Sequence, residues 1–130
     1  MSVTHTTTLR DDVCNYIVDK LDAGGPGKLK FRLSGTANSP GAAAATLTLS
    51  ATAFGASSSG TATASAITSD TNAAGNATPV ATATLETAGG TVIVHCDVAA
   101  AASDVNLSGG LTINSGDTVE CTSLTYTAMP

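Results

Sequence analysis

Residues 28–33 read KLKFRL, and the alternation is complete: Lys28, Lys30 and Arg32 fall on one side of an extended chain, Leu29, Phe31 and Leu33 on the other. A period of two over this length marks a strand with one apolar face. The same stretch holds three of the chain's five basic residues, and residues 33–130 contain no Lys or Arg at all. Residues 1–32 carry five bases and four acids, a net +1, whereas residues 33–130 carry six acids and no base, a net −6. Two compatible roles follow for the basic strip. Lysines on a sheet edge discourage edge-to-edge aggregation, and a row of bases can dock on an acidic protein surface.

Immediately before the strip, Gly24-Gly25-Pro26-Gly27 is a strong helix stop. Upstream of it Leu9, Val13, Tyr16 or Ile17, and Leu21 recur at helical spacing, which predicts one helix over residues 8–24. Thr8 followed by Asp11 reads as an N-cap with an acidic third position. Asp11 and Asp12 near the start and Lys20 near the end suit the helix dipole. Residues 1–7 form a Thr-rich arm with no core-facing pattern.

After the strip the period stays at two. TLTLSAT (46–52), GTATASAI (60–67), VATATLET (80–87) and TVIVHCDV (91–98) read as strands, with Ala81, Ala83 and Leu85 on one face of the third. DVNL and GLTINS are short strands around Gly109-Gly110. Residues 118–128 begin with Val119 and Cys121 inward, then switch phase to Leu124, Tyr126 and Ala128, predicting a bulge near Thr122 or Ser123. Polar, Gly-rich loops separate these runs. The expectation is an all-β fold: a jelly-roll-like β-sandwich of about seven or eight strands with one short N-terminal helix. It forms a single domain over 1–130, divided into an arm (1–7), a helix (8–24) and the sandwich (28–130). No period of 20–50 residues points to a solenoid.

The core is thin. Leu, Ile, Val and Phe together number 25 of 130 residues, Trp is absent, and charged residues are 12%. A net charge of −5 is too small to favour disorder at this composition. Burying Ala removes much less apolar area than burying Leu, at roughly 25 cal/mol per Å². The ordering cost per residue is unchanged. A lone subunit is therefore expected to be marginal and to gain stability from neighbours, which points to an assembly.

MSVTHTTTLRDD has neither the basic nor the apolar region of a secretion signal, and no run approaches a membrane span. The expectation is synthesis in a cytoplasm and no membrane partner. Cys14, Cys96 and Cys121 are an odd set, read as thiols in a reducing compartment, with a Cys96–Cys121 bridge as the alternative.

Chemistry-bearing constellations are weak. The Gly-rich stretch before Lys28 follows a helix and opens a strand, the reverse of a phosphate-binding loop, and Leu29 stands where Ser or Thr is needed. His95 and Cys96 face opposite sides of one strand and lack zinc spacing, so His95 reads as a surface residue. The six acids of residues 33–130 form no recognisable catalytic pair. Asn76-Ala77-Thr78 and Asn106-Leu107-Ser108 are chance matches to a glycosylation acceptor, and the Thr-x-Thr pairs are ordinary outward strand residues. Three bases on an acidic domain make a poor phosphate footprint, so no nucleic-acid partner is expected. Nor is any enzyme activity, cofactor or metal.

The early helix into AGGPGKLKFRL, then ATLTLSATAFG, SAITSDTNA and the closing DVNLSGGLTINSGDTVECTSLTYTAMP together resemble small virion structural proteins of tailed bacteriophages, of the capsid decoration (cement) type. The resemblance spans nearly the whole chain. It implies a jelly-roll sandwich present in many copies, bound to the outer capsid surface as dimers or trimers and bridging neighbouring capsomers. The chain departs from trimeric decoration proteins dominated by a β-tulip. The implied partners are the major capsid protein and sister subunits, and the implied location is the capsid surface of the virion. Thr4, His5, Thr6 and Arg10, with Lys28, Lys30 and Arg32, are the residues expected to carry those contacts. Two alternatives stand beside this: another virion subunit (tail tube, tail tip or fibre), and a glycan-binding or adhesin-like module, against which the scarcity of Trp and Tyr argues.

Overall fold

The computed structural model describes residues 3–128; Met1, Ser2, Met129 and Pro130, the outer ends of the expected arm and sandwich, lie outside the described residues. The helix α1 runs Thr7–Asp19 and continues as a 3-10 turn, Lys20–Asp22. Its cap is Thr6, whose Oγ1 accepts the Leu9 N–H at 3.3 Å, rather than Thr8. The chain then turns through Gly24 and Gly25, both with positive φ, as the glycine run requires. Cys14, Val18 and Leu21 form the buried stripe of this helical segment. Of the set expected at helical spacing, Leu21 is buried and Ile17 half-buried, whereas Leu9, Val13 and Tyr16 are exposed. Two apolar stripes lie on this helix, and the slimmer one is turned to the domain.

Among the described residues seven strands follow: β1 Lys28–Arg32, β2 Ala43–Thr48, β3 Thr61–Thr63, β4 Thr82–Glu86, β5 Val92–Ala99, β6 Val105–Asn106 and β7 Thr125–Thr127. Five form one sheet in the order β2-β1-β4-β5-β6; β3 and β7 pair separately. All pairings are antiparallel except β5 with β6. The large sheet curls into a half-barrel. Beyond the ladders, further chain is held through scattered backbone bonds. The Thr68 and Thr48 backbones bond reciprocally, Val80 N–H donates to Leu111 O, Asn76 N–H to Ile113 O, and Ala64 N–H to Leu124 O. α1 packs against β3 and β7. The protein is thus mostly β with one short helix.

Three strand-level expectations are corrected. First, β1 lies between β2 and β4, so KLKFRL is an interior strand and its lysines protect no edge. Leu29 and Phe31 are too valuable to the core for an edge position: both are buried against the main apolar cluster. Second, the strand expected over 118–128 shrinks to a bridge between Val119 and Asp70 followed by β7, and the segment holding Thr122 and Ser123 is no strand. The ladder irregularities fall elsewhere, between Phe31 and Arg32 and between Leu85 and Glu86. Third, β4 does not alternate: all five of its residues are buried, while Ala81 just before it is exposed.

Candidate interaction surface

β1 sets its three bases against β4. In register, Lys28 faces Glu86, Lys30 faces Thr84 and Arg32 faces Thr82. Glu86 is the only carboxylate on β4, and it is 1% exposed. Arg32 Nη2 lies 2.6 Å from Glu86 Oε2, and Lys30 Nζ lies 3.4 Å from Oε1. Arg32 Nε donates to Thr84 Oγ1 at 3.0 Å, Nη1 donates to the Gly41 carbonyl, and Thr84 Oγ1 donates to Glu86. Burial alone would raise the Glu86 carboxyl; the hydrogen bonds from Thr84 and Arg32 and the charge of Lys30 outweigh it and hold the group below its ordinary range. Lys28 Nζ reaches Thr48 Oγ1 at 3.2 Å on the β2 side.

This geometry turns the basic strip inward. Arg32 is 8% exposed, with its guanidinium committed to Thr84, Gly41 and Glu86. As an outward contact it is corrected to an internal anchor, because a carboxylate buried on the neighbouring strand requires it. Lys30 is half-buried against the same carboxylate, and Lys28 is half-buried beside Thr48.

The remaining contact candidates gather at the N-terminal end. Thr4, His5 and Thr6 are exposed, and Thr6 serves as the helix cap. His5, Leu9, Arg10 and Val13 line a small recess of about 80 Å³. Beside it stands an apolar row on α1: Leu9, Val13 and Tyr16 are 45%, 36% and 65% exposed, and Val3, in the arm before the helix, is 73% exposed. Leu9, Val13 and Tyr16 sit at helical spacing on one side of α1. Lys20 Nζ lies 4.6 Å from the Tyr16 ring centroid, a cation–π contact at the far end of that face.

The helix is fixed in place by its acidic side. Asp11 Oδ1 accepts the Gly60 N–H at 2.7 Å and the Ser57 hydroxyl at 2.8 Å, and Asn15 Oδ1 accepts the Ser57 N–H at 2.8 Å. Those bonds, led by the Gly60 N–H, hold the Asp11 carboxyl below its ordinary range. Gly60 has φ +79°, and a Cβ there would lie 2.8 Å from Arg10 Nη2, so the guanidinium rests directly over that glycine. Sequence reading missed this use of Asp11, which it took for a helix-start charge; the loop it holds is more than forty residues away.

A second concavity opens on the inner side of the half-barrel, a cleft of about 590 Å³ between β1 and residues 104–125. Cys121 lines it, with its thiol pushed up by burial. Cys96 is pushed up to about 11 by burial and by the charges of Asp104 and Asp97. All three cysteines are free thiols, so no Cys96–Cys121 bridge forms. Among the described residues no group of three or more His, Cys, Asp and Glu could hold a metal, and no helix is long and apolar enough to cross a membrane.

Comparison with protein-family models, curated proteins and solved structures finds no match in any of the three.

Proposed function

We propose that this chain is a non-enzymatic virion structural subunit of the capsid decoration type, seated by its N-terminal arm and the outer face of α1 on the major capsid protein. The observation that carries the reading is the exposed apolar row of Leu9, Val13 and Tyr16 on α1, with Val3 exposed in the arm before it. Exposed apolar side chains grouped on one element mark an interaction site. Thr4, His5 and Arg10 supply the polar rim of that contact, and Thr6 keeps the helix start in shape. Lys28 and Lys30 contribute secondarily, since part of each remains accessible.

The mechanism is added contact area. Covering the helix face on a shell of repeated capsomers removes apolar surface from water at every copy, and a subunit spanning a seam ties its neighbours together. Sister subunits meeting as dimers or trimers on the capsid surface extend the same effect. Within this reading the fold is a reduced jelly-roll-like sandwich; the curled five-stranded sheet and the separate β3–β7 pair support it.

The test is complementation of a phage lacking the gene, with cryo-electron microscopy of the particles. Wild-type chain should add density on the outer shell, and the Leu9→Asp/Tyr16→Ser double variant should lose most of that occupancy while remaining folded. Full occupancy by the folded double variant, or wild-type density in the tail alone, would overturn the proposal.

A further inference from the structure

In the 590 Å³ cleft between β1 and residues 104–125, Leu29 and Phe31 are themselves buried, and the partly exposed apolar side chains are Val105, Leu107 and Leu124. Three carboxylates line it: Asp104, Asp117 and Glu120, all exposed. Asp104 and Asp117 each accept one backbone N–H, from Asp97 and Asn114 respectively, which fixes them in their loops. No Lys or Arg lines the cleft. These apolar side chains and carboxylates therefore ask for an occupant that is apolar on one side and cationic on the other.

The backbone adds a direction. β2 and β6 are the two end strands of the sheet. The outer side of β2 is covered: Thr68 pairs with Thr48, Asp70 accepts the Thr46 N–H, and Gly75 N–H reaches Ala44 O. β6 has β5 on one side and lines the cleft with Val105 and Asn106. An end strand facing a cleft is a template for an added strand. Side chains of such a strand alternate, so one set would meet the partly exposed Leu107 and Leu124 and the other the carboxylates.

A second copy of this chain is a poor occupant. Its one alternating basic and apolar run, residues 28–33, is held as the interior strand β1, with Leu29 and Phe31 buried in its own core. We propose that the cleft takes an extended segment of a different protein, in which Lys or Arg alternates with apolar side chains. This inference stands apart from the virion reading and from the α1 face.

The probe is a synthetic hexapeptide of alternating lysine and leucine with blocked termini, titrated into the full chain by fluorescence anisotropy at two ionic strengths. Binding should weaken as salt rises, and an alternating glutamate and leucine peptide should not bind. Glu120→Arg should weaken binding about tenfold, whereas Asp12→Arg, the same charge change on the exposed side of α1, should leave it unchanged. Amide shifts in NMR spectra should concentrate at residues 105–107 and 121–124. No binding, equal binding of the glutamate peptide, equal loss in both variants, or shifts centred on α1 would each overturn the proposal.

Discussion

The Arg32 guanidinium and the Glu86 carboxylate meet at 2.6 Å on adjoining strands, in a part of the sheet where Glu86 is 1% exposed. Each makes the other tolerable. A buried charge without its partner is costly, while a paired and hydrogen-bonded one is close to neutral against an apolar replacement.

Arg32→Ala should therefore destabilise the domain by about 3–5 kcal/mol, because it strands the carboxylate. The double variant Arg32→Met/Glu86→Leu should be less destabilised than Arg32→Ala alone. Chemical denaturation of the two variants and the wild type gives the comparison directly.

Acid should weaken the fold through the same group. The folded-state Glu86 carboxyl is held below its reference value of 4.5, so the stabilisation is complete above that value and is lost as pH falls through the folded one. Asp11, lowered from 3.8, acts in the same direction. The melting temperature of wild type should drop more steeply between pH 6 and about pH 3 than that of Glu86→Gln.

The thiols should be inert in the folded protein. Cys14 is fully buried, and Cys96 is pushed up to about 11 by burial and two nearby carboxylates. Labelling with iodoacetamide at pH 8 should be slow at all three cysteines and should accelerate with denaturant in step with unfolding. Fast labelling of Cys96 under native conditions would contradict the burial described.

Gly75 should resist substitution. It sits at φ +69°, and a Cβ would fall 2.2 Å from the Ser115 backbone nitrogen, where two extended segments cross. Gly75→Ala should lower stability by roughly 2 kcal/mol or more, whereas Gly109→Ala, where a Cβ meets nothing, should change it little.

The sequence makes β1 legible because its two faces differ at every position, and it makes the helix legible because Gly24 to Gly27 end it so firmly. The helix face is not legible. Leu9, Val13 and Tyr16 have as good a spacing as Cys14, Val18 and Leu21, and only the shape of β3 and β7 beneath decides between them. β4 misleads for a related reason. Thr82, Thr84 and Glu86 look like the wet side of a strand until Arg32, 54 residues away from Glu86, is placed beside them. The same pairing removes Arg32 from the outward strip, a change that no local pattern signals. Residues 107–124 carry little periodicity because single bridges rather than ladders hold them. The cleft arises only when that segment is laid over β1.

The burial of β4 on both sides has a consequence for how the chain finds its fold. A slip of one residue against β1 would send Glu86 toward Leu29 and Phe31 and bring Leu85 among the cations. Neither arrangement is tolerable, so the register of β4 on β1 is strongly specified. In a chain so rich in interchangeable Ala and Thr, one carboxylate acts as the alignment mark for the whole sheet.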